Sequence, residues 1–283
     1  MDWTIRSLLA WSQGFLNKRG SESPRLDAEL LLAFSLSKRR IDLYLDMDRP
    51  MDSEELGAYR VLIKRRAEGE PVAYIRGQKG FYGHSFFVDP HVLIPRPETE
   101  ILVERAVDLA PMDGKILEVG VGSGAVIISI LKERQDLAGV GSDISLDALR
   151  VTRDNAKKHG VKDRLMLFMS DLAMALNAQF DLIVINPPYV ALRDRAIMDK
   201  GVRDYEPMDA LFAGNDGLDI IKRVLMEMPS CMKPGARCIM EAGYNQAEEI
   251  EGLVKDGPEV AISSWERDLS GMKRAVILEK ING

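Results

Sequence analysis

Lys115-Ile116-Leu117-Glu118-Val119-Gly120-Val121-Gly122-Ser123-Gly124-Ala125 is the stretch whose reading decides the fold. A short apolar strand runs straight into a loop with glycine at alternate positions, and an apolar helical segment follows. Glycines at such a junction let the chain turn sharply and let a ligand approach without a Cβ in the way. Outward from this unit, strand and helix patterns alternate to the end of the chain. Further strands are expected at 138–142, 165–169, 182–185, 236–240, 260–264 and 275–278, with helices at 146–159 and 217–228 between them. This alternation specifies an α/β fold: a doubly wound, seven-stranded, mainly parallel sheet whose ligands lie at the carboxyl ends of the strands. The last two strands leave no room for a helix, so a terminal antiparallel hairpin is expected.

Upstream, the pattern is purely helical. Ser23-Pro24 reads as a helix start, with Ser accepting orphan amide hydrogen bonds and Pro at the first helical position. Leu26, Leu30, Leu31 and Leu36, with Ala28 and Ala33, form its apolar stripe, and Asp52-Ser53-Glu54-Glu55 opens another helix carrying Leu56, Tyr59, Leu62 and Ile63. A small N-terminal helical bundle is the natural packing solution. Phe81 to Val88 reads as two short strands around a glycine turn. Pro95 and Pro97 then stiffen an extended connector before a helix from Thr99 to about Leu109. The expected division is 1–76 for the helical domain, 77–97 for a hairpin and hinge, and 98–283 for the α/β domain.

Charge and composition exclude several classes. The net charge of −6 lacks the basic excess of a protein that grips a nucleic-acid backbone. Two basic runs, Lys38-Arg39-Arg40 and Lys64-Arg65-Arg66, read either as solvated helix faces or as a docking surface for an acidic partner. Cys231 and Cys238 are too few and too oddly spaced for a zinc site or a redox pair, and His84, His91 and His159 are scattered singly, so no metal is expected. The apolar run at 125–131 is too short to cross a bilayer, and the N-terminus lacks a signal-peptide layout, so a cytoplasmic location is expected.

The glycine loop alone fits two cofactors. S-adenosylmethionine and a dinucleotide both suit it, since Gly120, Gly122 and Ala125 satisfy the dinucleotide spacing and Asp143 lies where an acid meets ribose hydroxyls. Glu118 favours the former, because a carboxylate suits an ammonium and a sulfonium and opposes a pyrophosphate. Asp171, closing the third strand after Ser170, can accept from an adenine amino group or merely cap a helix.

The fourth strand ends in Asn186-Pro187-Pro188-Tyr189, at the carboxyl edge beside the cofactor loop. An amide nitrogen is a poor nucleophile because its lone pair is delocalised. The Asn186 oxygen and the Pro187 carbonyl can each accept one of its N–H bonds, fixing it towards a methyl donor, and Tyr189 offers a flat face for stacking. Pro187 and Pro188 carry no competing donors.

Together these motifs resemble the protein-glutamine N5-methyltransferases that act on peptide-chain release factors. The likeness extends through Pro95-Arg96-Pro97-Glu98-Thr99-Glu100, Val202-Arg203-Asp204-Tyr205-Glu206-Pro207 and Gly214-Asn215-Asp216-Gly217-Leu218. It continues through Glu241-Ala242-Gly243-Tyr244-Asn245-Gln246 and Arg267-Asp268-Leu269-Ser270-Gly271. The resemblance implies a class I S-adenosylmethionine-dependent methyltransferase with a Rossmann-like sheet, S-adenosylhomocysteine as product and no metal. It implies a helical N-terminal domain that docks a class I release factor, whose Gly-Gly-Gln glutamine is the substrate. Gly120, Val121, Gly122, Ser123, Gly124 and Asp143 would then hold the cofactor, with Leu172 and Asn186 bordering it, and Asn186, Pro187, Pro188 and Tyr189 would grip the glutamine. Leu172 stands where the family often has an aromatic residue. A monomer that touches neither nucleic acid nor membrane is expected. Methylation of a ribosomal-protein glutamine, or of adenine N6 in DNA or RNA, remains an alternative, because an exocyclic amino group presents the same two donors. Arg96, Glu98 and Glu206 read either as functional groups or as residues that fix their loops.

Overall fold

The deciding stretch forms the centre of a seven-stranded sheet. The computed structural model describes residues 3–172, 177–257, 259–268 and 270–281; Leu269 of the last family-like motif lies outside them. Two compact units emerge, Lys79–Met198 with Glu206–Gly283, and Met1–Gln78 with Asp199–Tyr205.

In the larger unit a hairpin, β1 (Gln78–Phe81) and β2 (His84–Phe87), precedes α6 (Glu100–Leu109). Then follow β3 (Lys115–Val119), α7 (Ala125–Glu133), β4 (Ala138–Asp143), α8 (Leu146–Lys158), β5 (Leu165–Met169) and β6 (Phe180–Ile185). The chain closes with α10 (Asp219–Cys231), β7 (Met232–Glu241), α11 (Ala247–Lys255), β8 (Val260–Arg267) and β9 (Lys273–Lys280). The strand order is β5-β4-β3-β6-β7-β9-β8. The first five strands in that order pair in parallel, and β9 runs antiparallel to both neighbours, as the short final connection requires.

The sheet has this form because its middle strands are apolar on both faces. In β3 the last four residues are buried, and in β6 the last four also, which is the signature of a parallel sheet covered on both sides. One covering layer centres on α7, where all residues from Ala125 to Leu131 are buried. Ile127 and Ile128 are fully buried there, each contributing roughly 1.5–3 kcal/mol. The other layer packs Ile221, Val224, Leu225 and Met228 of α10 against Leu117, Ile183 and Met240. Cys231 and Cys238 are buried free thiols of this second layer, and burial pushes the Cys238 thiol up to about 12. His84 and His159, isolated in sequence, meet in space with ring centroids 5.7 Å apart beside Phe86.

The smaller unit packs α1 (Ile5–Asn17), α2 (Pro24–Ser35), α3 (Arg40–Leu45), α4 (Ser53–Ala67) and α5 (Val72–Arg76) around Ile5, Leu16, Leu31, Leu32, Leu43 and Tyr59. Asp52 caps α4 by accepting from the amides of Glu54 and Glu55. Ser23 precedes α2 as expected but makes no side-chain cap bond, leaving Pro24 to set the start. Ala28, Leu31 and Ala33 of the expected stripe of α2 are buried, but Leu26 is exposed and Leu32 is buried as well. The run Lys38-Arg39-Arg40 is neutralised locally by Asp46, Asp42 and Glu29. A further short helix, α9 (Lys200–Tyr205), joins this unit, with the Lys200 side chain packed on Gly69. No helix among the described residues is long and apolar enough to cross a membrane.

Candidate active site

The carboxyl ends of β3, β4, β5 and β6 open onto a cavity of about 510 Å³. Glu118, Gly120, Val121, Gly122, Ser123, Asp143, Asp171, Leu172, Asn186, Pro187 and Pro188 all line it, so the two sequence motifs face one space. Gly124 and Tyr189 are not on its wall. Val92, Leu93, Pro95, Thr99, Ile144 and Arg223, to which the sequence reading assigned no cofactor role, are.

Glu118 and Asp143 organise the glycine loop. Glu118 is buried, and its Oε2 accepts the amide of Ile127, in the first turn of α7, at 2.9 Å. That carboxyl therefore occupies the positive helix end where a dinucleotide would place its pyrophosphate. Burial raises the Glu118 carboxyl well above its ordinary value; the Ile127 amide opposes this and the nearby Asp143 adds to it. Asp143 Oδ2 accepts from the Gly122 amide and Oδ1 from the Ser145 amide, each at 2.9 Å. Burial raises its pKa too, against those backbone bonds. A carboxylate has about four lone-pair sites, so both oxygens keep capacity for a diol.

The residues present fit S-adenosylmethionine on structural grounds. The loop presents backbone without side chains at Gly120 and Gly122, a buried carboxyl (Glu118) and a half-buried one (Asp143) stand at the ends of β3 and β4, and the remaining wall is largely apolar. Ile144, beside Asp143, is 61% exposed yet lines the cavity. With Leu172 it supplies two aliphatic faces to the cavity. Leu172 holds φ at 51°, a left-handed conformation that costs a non-glycine residue roughly 1–2 kcal/mol. Asp171 is engaged by Arg223, whose Nη1 donates to Oδ1 at 3.1 Å.

The Asn186-Pro187-Pro188-Tyr189 loop is held from three directions. Asn186 Nδ2 donates to the Thr99 hydroxyl at 3.3 Å, which leaves its oxygen as the free acceptor. The Tyr189 hydroxyl donates to Glu241 Oε1 at 3.3 Å, at the end of β7. Burial raises the Tyr189 pKa, and Glu241 adds to the rise. The Tyr189 carbonyl accepts from Gln246 Nε2 at 3.2 Å, and the same nitrogen donates to the Gly217 carbonyl at 3.1 Å. Gly217 has φ of 80°, and a Cβ there would strike the Tyr189 carbonyl, which explains the glycine of the Gly214-to-Leu218 motif. Past the loop, Val190 bridges to Phe212.

Arg96 and Glu206 brace the cavity wall. Glu206, with its side chain only 1% exposed, accepts from the Ile94 amide at 3.1 Å and from Arg96 Nη2 at 2.7 Å. It thereby anchors the connector whose Val92, Leu93 and Pro95 line the cavity. Neither the Thr99–Asn186 nor the Arg96–Glu206 contact had a local signal, since 87 and 110 residues separate the partners.

Comparison with known proteins agrees with this geometry. Residues 7–77 match the family described as PrmC N-terminal domain, and residues 97–202 that described as methyltransferase small domain. The release factor glutamine methyltransferase of Geobacter sulfurreducens is 41% identical over 252 residues, covering 89% of this chain and 88% of its own. That of Koribacter versatilis is 39% identical over 269 residues, covering 94% of each. A solved methyltransferase from Pyrococcus furiosus, 15% identical, shares the fold with a TM-score of 0.54 over 82% of this chain and 100% of its own. The chain thus belongs to the release factor glutamine methyltransferase family, whose members are S-adenosylmethionine-dependent enzymes.

Proposed function

We propose that this chain moves the methyl group of S-adenosylmethionine onto the side-chain amide nitrogen of a release factor glutamine, the one in the Gly-Gly-Gln loop. The observation that carries this reading is the orientation of Asn186. With Nδ2 committed to Thr99, the Asn186 oxygen is the atom left to accept from an incoming N–H, beside the cofactor loop.

The bound cofactor supplies an electrophilic methyl on a sulfonium. Glu118 and Asp143 would hold its charged and diol ends, Gly120, Val121, Gly122 and Ser123 would shape its bed, and Ile144 and Leu172 would border its base. Asn186 and the Pro187 carbonyl each take one N–H of the substrate amide, which fixes its plane and keeps electron density on nitrogen. Pro187 and Pro188 add no donor that would compete. As the N–C bond forms and the S–C bond breaks, the nitrogen becomes acidic and one of its protons passes to water, so no strong base is required. Tyr189, anchored through its hydroxyl, offers its ring to the flat amide. The helical unit would dock the release factor. It carries a groove lined by Trp11, Phe15, Arg19, Arg60 and Lys64, which suits a partner with apolar and acidic groups.

Asn186→Ala tests the reading. Turnover on purified release factor is expected to fall on the order of 100-fold or more, while cofactor affinity by calorimetry stays near wild type. A variant that kept its turnover and lost the cofactor would refute the role given to Asn186.

A further inference from the structure

We propose that Arg223 sets cofactor specificity as a positioning residue: it clamps Asp171 so that the carboxylate is held out to read the amino group of the adenine. The proposal rests on the S-adenosylmethionine site described above, with the base bordered by Ile144 and Leu172.

Arg223 lies on α10, whose Ile221, Val224, Leu225 and Met228 pack on the sheet. Ile220 and Arg223, three residues apart and so on one face of the helix, line the cavity instead. There Arg223 meets Asp171, two residues past the end of β5, and both stand on the wall that includes Ile144 and Leu172. The Asp143 carbonyl accepts the Ser170 amide at 3.0 Å, which ties the end of β5 to β4. Asp171 is thereby held about one strand spacing, roughly 4.8 Å, from the strand whose carboxylate is assigned to the ribose diol. That reach suits the base joined to the ribose.

The clamp has two ends. Arg223 Nη1 donates to Asp171 Oδ1 at 3.1 Å, while Nε and Nη2 face Glu227 Oε1, one turn further along α10, at 3.3 and 3.2 Å. A planar guanidinium with five N–H bonds can engage both carboxylates at once and fix the direction of each contact. Among the described residues no other donor reaches the Asp171 carboxylate. With about four lone-pair sites it keeps capacity for an incoming donor, and as an ion it can only accept. The exocyclic amino group of adenine offers donors; a base with a carbonyl at that position offers an acceptor and is repelled. The Arg223 and Asp171 side chains are 33% and 48% exposed, so the pair adds little to folding stability. Its effect is on the orientation of Asp171, and it strengthens as a bound base displaces water from the pair.

The test measures, by calorimetry on the full chain, affinity for S-adenosylhomocysteine and for S-inosylhomocysteine, in which a carbonyl replaces the adenine amino group. Wild type should prefer the adenosyl compound by about 10- to 100-fold, the range of a hydrogen bond to a charged group. Arg223→Met keeps an unbranched apolar stem and removes the donors. Its preference should fall at least about 5-fold, with the melting temperature near wild type. Asp171→Asn should lose the preference as well, and adding Arg223→Met to it should change little; independent losses contradict the clamp. An unchanged preference in Arg223→Met overturns the proposal, because a merely structural ion pair would not move it. A preference that rises overturns it too, since Arg223 would then be contacting the base carbonyl itself. If wild type binds the adenosyl compound without preference, Asp171 does not read the base and only this proposal falls. If wild type binds neither compound, the cofactor site itself has been misassigned.

Discussion

Replacing Gly124 with alanine separates what the glycine loop does for stability from what it does for the cofactor. Gly124 precedes α7 with φ of 77°, and a Cβ there would stand 2.8 Å from Ile128 Cδ1 and 2.8 Å from Thr152 Cγ2. The left-handed backbone alone costs an alanine roughly 1–2 kcal/mol. Neither neighbour can retreat, because Ile128 and Thr152 are fully buried and the Thr152 hydroxyl is bonded to the Gly122 carbonyl at 2.7 Å. Overpacking of this kind adds about 1–3 kcal/mol, for a total near 2–5 kcal/mol. In a unit of this size that corresponds to a fall in Tm of roughly 5–15 °C. Gly120→Ala is the matched control. Its φ is 73°, but nothing lies within 4 Å of its Cβ position, so only the backbone cost of about 1–2 kcal/mol applies. Gly120 lines the cavity and Gly124 does not, so the Gly120 methyl should weaken cofactor binding more. Calorimetric melting of both variants, with titration of S-adenosylhomocysteine, reads the two effects. If Gly124→Ala were no less stable than Gly120→Ala, the packing account of the loop would be wrong.

Further outcomes follow from the same geometry. Glu206→Ala frees the Ile94 amide and Arg96, so it should cost about 1–3 kcal/mol in urea denaturation and raise the cofactor KM. Glu206→Gln, which can still accept from Ile94, should recover part of both, and equal losses in the two variants would argue against the anchor. Stability should also carry the signature of Glu241. A carboxyl raised on folding stabilises the protein below its ordinary value, and that contribution drains away as pH rises through about 7. The stability of wild type minus Glu241→Gln should accordingly fall by roughly 3 kcal/mol between about pH 4 and 8. A flat difference would show that the carboxyl is not raised.

The sheet was legible because its centre is simple. Lys115–Val119 coincides with the expected strand, since a parallel strand buried on both faces reads as a short apolar run between breakers. Leu165–Met169 coincides too, although it is the edge strand and leaves Met166 and Met169 exposed. The terminal hairpin followed from spacing alone. In α2 the expected Ala28, Leu31 and Ala33 are buried, but leucines at 30, 31 and 32 offer several stripes, and tertiary packing selects Leu32 over Leu26. At the site, the motifs announced themselves through glycines and prolines, but their supports did not. Thr99, Gln246, Glu241 and Arg223 reach the loops from strands and helices far along the chain, and no local pattern marks a partner 52 residues or more away. Glu118 lines the same cavity as the glycine loop, while its bond to the Ile127 amide, which closes the helix end, appears only in three dimensions.

The most direct measurement is transfer of labelled methyl from S-adenosylmethionine to purified release factor, with a Gln→Ala version of its Gly-Gly-Gln loop, a ribosomal protein and duplex DNA alongside. The account predicts label on the intact release factor alone, mapped by peptide mass spectrometry to that glutamine. Label on the DNA or the ribosomal protein, with none on the release factor, would contradict it.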